Sequence, residues 1–173
     1  MRKILVVIDM QKDFVDGSLG TPEAAGIVDA VVNEIGKYAP ENIYATRDTH
    51  PENYLETQEG RKLPVVHCVK GTPGWEINEK VAAALQGAEV IDKPTFGSRI
   101  LAEKLAALAE KEEIQVTLVG LCTDICVVSN ALLIKAYLPE IQVRVKADCC
   151  AGVTPASHEA ALTTMKMCQI EVL

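Results

Sequence analysis

Asp9, Lys93 and Cys126 are a carboxylate, an amine and a thiol, each placed where an apolar, strand-like run gives way to polar residues. Those three types together suit attack on a carbonyl. The thiolate is the nucleophile, the carboxylate takes the thiol proton and returns it to a departing amine, and the ammonium steadies the anions. In "GLCTDICVVSN" (Gly120–Asn130), Thr123 or Asp124 is placed to cap a following helix, which puts Cys126 in the first turn. There the helix dipole and unpaired backbone N–H groups favour a thiolate and can receive an oxyanion. Two other readings stay open on these residues alone. Cys122 and Cys126 could form a thiol redox pair, or Cys126 could be a buried structural cysteine, a common place for a free thiol.

These side chains can meet only if the fold brings the run ends together. Apolar runs rich in β-branched residues alternate with helical patterns along the whole chain: "KILVVID", "NIYATRD", "LPVVHCV", "AEVIDK", "QVTLVG", "QVRVKAD" and "QIEVL". Between them, "TPEAAGIVDAVVNEIGKY" predicts a helix with Thr21 as N-cap and Pro22 at its first position, and Gly74–Leu85 predicts another. Ser98 to about Glu112 carries Leu101, Leu105 and Leu108 on one stripe. Thr123–Leu138 and a segment capped by Thr154 and Pro155 complete the set. Such alternation predicts one α/β domain over residues 1–173, three-layered α/β/α, with a mostly parallel sheet of roughly six strands. In such sheets ligands bind beyond the carboxyl ends of the strands. The residues expected on that edge are Asp9, Asp48, His67, Lys93 and the Thr123–Cys126 turn.

Bulk properties narrow the function. A chain of 173 residues with 49% hydrophobic and 24% charged residues is an ordinary globular one, and its net charge of −7 argues against nucleic-acid binding. No run approaches the ~20 apolar residues of a membrane span, and the N-terminal apolar run stops at Asp9, too early for an export signal. The expected location is the cytoplasm, where the six cysteines stay reduced.

"VVIDMQKDF" (Val6–Phe14), "TRDTHPENY" (Thr46–Tyr54), "HCVKGTPGWE" (His67–Glu76), "DKPTFGS" (Asp92–Ser98) and "GLCTDICV" (Gly120–Val127) occur in the order seen in isochorismatase-like cysteine hydrolases. The chain resembles that superfamily over nearly its whole length, and its nicotinamidase-like members most. The resemblance implies a Rossmann-like fold and an Asp9, Lys93, Cys126 triad that cleaves a small carboxamide through a thioester, nicotinamide first. Another small amide is the alternative. It also implies a cis peptide joining Leu121 to Cys122, and an oxyanion hole built from the backbone N–H groups of Cys122 and Cys126. Family members commonly form dimers or tetramers.

His50 and His67 fall in the family's metal motifs with Asp48. An Asp and a His two apart on an extended segment point the same way, as ligands of one cation must. Carboxylate plus imidazole suits zinc, with iron or manganese as alternatives, and Glu59 stands at plausible spacing for a further ligand. The metal is expected to take the pyridine nitrogen of the substrate. Phe14 and Phe96 are expected ring walls, with Trp75 a weaker candidate, and His158 reads as structural. Two departures from the nicotinamidase pattern touch the ring pocket: Thr49 stands where a tryptophan is usual, and "PTFGS" follows Lys93 where a tyrosine is frequent.

Overall fold

Ile4 to Ile8 of the first strand and all eight residues of the fourth are buried, as strands covered on both faces must be. The computed structural model describes residues 1–173. Six strands, β1 (Arg2–Ile8), β2 (Ile43–Asp48), β3 (Glu89–Lys93), β4 (Ile114–Leu121), β5 (Gln142–Ala151) and β6 (Glu171–Val172), form one sheet in the order β3-β2-β1-β4-β5-β6. Every neighbouring pair is parallel.

Eight helices accompany them: α1 (Lys12–Val15), α2 (Pro22–Gly26), α3 (Val28–Ile35), α4 (Gln58–Lys62), α5 (Glu79–Ala84), α6 (Arg99–Ala109), α7 (Val128–Tyr137) and α8 (Pro155–Met167). Alternate side chains of β1 divide the core in two. Leu5 and Val7 pack with Ala24 of α2, Val31 and Ile35 of α3 and Val81 of α5. Ile4, Val6 and Ile8 pack with Leu101 and Leu105 of α6, Ala131 and Ile134 of α7 and Leu162 of α8. The result is the expected α/β/α arrangement. None of its helices is long and apolar enough to cross a membrane.

The helix starts follow local rules. Thr21, Ser98 and Thr154 each accept a backbone N–H at a helix start, and Thr154 and Ser157 form a reciprocal capping box. Other expectations need correction. The long helix from Thr21 is two helices meeting at Ile27, beside Gly26, a weak helix former in the interior of the run. Gly74–Leu85 is a short 3-10 turn at Pro73–Trp75 followed by α5. "LPVVHCV" is not a strand: its β contact is a single bridge between His50 and Val69. β3 already occupies that edge of β2 out to Lys93, so the segment meets the chain only past the end of β2.

The strand order reverses between β1 and β4, the place where open parallel sheets form their crevice. Gly120 makes the close approach there possible. Its φ is +114°, and a Cβ on it would lie 2.1 Å from the Ile8 carbonyl oxygen. Gly120→Ala should therefore lower stability by about 2 to 3 kcal/mol, read as a lower urea midpoint at unchanged slope.

Candidate active site

Asp9 leaves β1 in a left-handed conformation, φ +45°, which turns its side chain into the crevice. Thr46 donates its hydroxyl to Asp9 Oδ1 at 2.6 Å. Oδ2 makes no aligned hydrogen bond, although Lys93 Nζ lies 2.7 Å away. One carboxylate oxygen is thus committed and the other is available to a proton. Lys93 ends β3, paired in register with Asp48 at the end of β2. Its ammonium reaches Cys126 Sγ at 3.4 Å and Asp48 Oδ1 at 3.5 Å, so one buried cation touches the thiol and two carboxylates.

The electrostatics follow from this packing. Burial raises the Asp9 carboxyl, and the Lys93 charge offsets only part of that. Burial alone would lower Lys93, but Asp9, the Cys126 sulfur and Asp48 together hold it above the usual lysine range. Cys126 lies well above the ordinary thiol value, through burial first and then the Asp9 charge, with Lys93 opposing. These influences disfavour a resting thiolate, against the expectation from helix position and the nearby lysine. Asp9, whose Oδ2 lies beside the same Lys93 ammonium that touches Cys126, is placed to act as the base.

The cap assignment is corrected as well. Cys126 sits in a wide π-helical turn, Thr123–Val127, ahead of α7, and no side chain caps that turn. The Thr123 hydroxyl instead meets His158 Nδ1 of α8 at 2.8 Å, and the Asp124 carboxylate accepts the Val153 N–H. The Leu121–Cys122 peptide is cis. The Cys122 N–H donates no hydrogen bond within the protein, while its carbonyl accepts from Ile125 and Val127. Both thiols are free.

Beside the triad, Asp48, His50, Glu59 and His67 each offer one ligand atom, and these atoms all lie within 4.8 Å of one another. The separations include 2.9 Å for His50 Nε2 to Asp48 Oδ2, 3.8 Å for His50 Nε2 to Glu59 Oε1 and 3.9 Å for His67 Nε2 to either carboxylate. Ligands at ~2.1 Å from a tetrahedral cation stand roughly 3.4 Å apart, so the set fits a metal. The buried His50 Nε2 is an independent sign: it has no hydrogen-bond partner, so its contact with Asp48 is a convergence rather than a bond. The Val65 carbonyl lies 2.7 Å from His67 Nδ1, which sets the tautomer and presents Nε2 to the cluster.

Several supports were invisible at the level of residue types. Gln11, fully buried, accepts the Asp48 N–H through Oε1 and donates through Nε2 to the carbonyls of Asp48 and Trp75. The Tyr54 ring packs edge-on to His50 and His67 at 4.7 and 4.9 Å between centroids, and its hydroxyl donates to the Leu63 carbonyl. Asp13 accepts the Cys68 N–H at 2.8 Å and so anchors the segment that carries His67. An amide or carboxylate whose partners are distant backbone atoms leaves no spacing signal in the sequence.

Cys126 lines a cavity of about 250 Å³ together with Asp48, Glu59 and His67 of the cluster, while Asp9, Lys93 and His50 are buried and do not line it. Phe14, Phe96, Leu19, Ile125 and Val153 form its apolar walls, with Asp48, Glu59, His67 and Cys126 at the polar end. Phe14 tilts against His67 at 5.5 Å between ring centroids. Trp75 lies outside the cavity, donating to Thr49 Oγ1 with the Arg47 guanidinium stacked on its ring.

The isochorismatase domain profile matches residues 3–173. The pyrazinamidase of Pyrococcus horikoshii, solved in complex with zinc, is 30% identical, with 100% of this chain and 99% of that one covered at a TM-score of 0.81. The nicotinamidase/pyrazinamidase of Mycobacterium tuberculosis is 26% identical, covering 99% of this chain and 98% of that protein. The nicotinamidase of Schizosaccharomyces pombe is also 26% identical, covering 98% of this chain and 91% of that protein.

Proposed function

Because the chain belongs to the isochorismatase family, we propose that it is a cysteine-dependent amidohydrolase converting nicotinamide to nicotinate and ammonia. The observation that carries this reading is that one small cavity is lined both by Cys126, whose sulfur Lys93 touches, and by Asp48, Glu59 and His67 of the metal-ligating cluster. At about 250 Å³ the cavity is below the ~300–1,000 Å³ of sites for drug-sized ligands, which favours a single-ring amide. The relatives named as amidases support this reading over a Cys122–Cys126 redox pair.

In this mechanism Asp9 Oδ2 takes the proton of the Cys126 thiol, and the sulfur attacks the carboxamide carbon. The C–S bond forms as the carbonyl π electrons move to oxygen, which the N–H groups of Cys122 and Cys126 receive. The oxyanion collapses, the C–N bond breaks, and Asp9 returns the proton to the leaving nitrogen, releasing ammonia. Water then attacks the thioester with Asp9 as base, and C–S cleavage frees the acid and restores the thiol. Lys93 keeps its charge throughout, so the anion that moves between Asp9, sulfur and oxygen always faces a cation. Phe14 and Phe96 sandwich the ring. Asp48, His50, His67 and Glu59 would hold a divalent cation, zinc first, which would supply a Lewis-acid site for the ring nitrogen.

The test is ammonia release from nicotinamide and from benzamide, which keeps the ring and carboxamide but lacks the ring nitrogen. Metal-loaded protein should turn over nicotinamide at roughly 1–10³ s⁻¹, benzamide far more slowly, and neither after chelation or in Cys126→Ala. Folded, metal-loaded protein that released no ammonia from nicotinamide would sink the reading.

A further inference from the structure

The fully buried Asn130 of α7 binds two separate elements at once. Its Nδ2 donates to the carbonyls of Cys126 at 2.8 Å and Phe96 at 3.0 Å, and its Oδ1 accepts the Ser98 N–H at 2.9 Å. An asparagine amide has two N–H donors, and here both are spent on carbonyls. One side chain thus joins the backbone of the nucleophile to both ends of Phe96–Gly97–Ser98. Between those ends the segment lies directly on α7. A Cβ on Gly97 would come within 3.2 Å of the Ser129 carbonyl oxygen and 3.3 Å of Leu133 Cδ2. Upstream, the segment starts from Lys93, whose carbonyl accepts the Thr49 N–H. The Phe96 side chain, 45% exposed, lines the cavity that Cys126 closes.

We infer that Asn130 is a positioning residue that sets the width of the acyl-group subsite by fixing the Phe96 backbone relative to that of Cys126. It deepens the proposed amidase reading and rests on it for the identity of the ring, while the clamp itself is independent of which amide is cleaved. Three hydrogen bonds from one rigid carboxamide hold the Phe96 backbone against retreat from a larger group.

The test compares alkylation of Cys126 by iodoacetamide and by its N-phenyl analogue, followed by peptide mass mapping in a Cys168→Ser background that removes the exposed thiol. Asn130→Ser keeps a hydroxyl able to bond the Cys126 carbonyl one turn back but too short for Phe96 and Ser98. Asn130→Asp keeps size and the Ser98 acceptor but drops both donors. Either variant should raise the N-phenyl to iodoacetamide rate ratio by about tenfold. Phe96→Ala should raise it similarly, and Asn130→Ser added to Phe96→Ala should raise it no further. Partial unfolding would also expose the buried Cys68, Cys149 and Cys150, so their unchanged protection in the same peptide maps marks a shifted ratio as local to the cavity. An unchanged ratio in the folded Asn130 variants, a shift favouring the smaller reagent, or multiplicative effects in the double variant would each overturn the inference. Nicotinamide turnover on the same proteins separates the two claims. A shifted ratio without wild-type turnover rejects the nicotinamidase reading alone, and turnover with an unshifted ratio rejects the clamp alone.

Discussion

An Asp9→Asn protein should hydrolyse its amide about 10²- to 10⁴-fold more slowly, while Cys126 reacts faster with iodoacetamide at neutral pH than in the wild type. The two rates move apart because Asp9 has two effects on one thiol. As a base it receives the proton during attack and returns it to the leaving nitrogen, and asparagine can do neither. As a buried negative charge it holds the thiol up, second only to burial itself, against the pull of Lys93. Removing that charge leaves burial and the more distant Asp48 opposed by Lys93, so the thiol falls toward its ordinary value. A lower value means more thiolate at any given pH below it, and alkylation follows thiolate. The alkylation profile should therefore shift to lower pH as turnover collapses. Equal loss of both rates would make Asp9 a structural residue, and retained turnover would place the base elsewhere.

The contrast between charge and cap shows what the sequence can carry. Strand runs were legible because burial on both faces demands continuous β-branched apolar residues, as in β1 and β4. Helix starts at Thr21, Ser98 and Thr154 were legible because the capping atoms lie three residues away. Thr123 and Asp124 carry the same local signature, yet their partners are 35 and 29 residues distant, in α8 and the loop before it. Tertiary competition took both side chains from the turn. "LPVVHCV" fails for a related reason: its valines read as a strand, but Val66 is half exposed and β3 already occupies the edge of β2 beside it. The reactive state of Cys126 was also beyond local reading. Helix position and a nearby lysine argue for a thiolate, and only the depth of burial and the approach of Asp9 reverse the sign. The residues of the proposed triad and of the Asp48, His50, Glu59, His67 cluster were readable as strand exits and family motifs. Their supports, Gln11, Tyr54 and Asn130, act on backbone and ring faces and were not.

Lys93→Met should be the most damaging single change to stability at this site, costing about 3 to 5 kcal/mol at neutral pH, along with turnover. The side chain is 1% exposed and its ammonium is the cation nearest two buried carboxylates, 2.7 Å from Asp9 and 3.5 Å from Asp48. Methionine fills much of the volume, so the loss reports charge rather than a cavity. Two carboxylates left facing each other bind protons more readily than in the unfolded chain, where each titrates near ~3.9. The folded state then holds more protons than the unfolded one, and stability falls as pH rises above that value. Urea midpoints for Lys93→Met should therefore approach the wild type at about pH 4 and separate from it toward pH 7. Asp9→Asn in the same chain removes one of the two charges and should recover most of the stability without restoring turnover. Added divalent metal should help Lys93→Met in the same direction, because it compensates Asp48 but not Asp9. Wild-type stability and turnover in Lys93→Met at pH 7 would show that the charge balance at this site rests on some other group. Stability restored by Asp9→Asn, with activity still absent, isolates what Lys93 does: it makes two buried carboxylates and an ionising thiol tolerable around one ammonium.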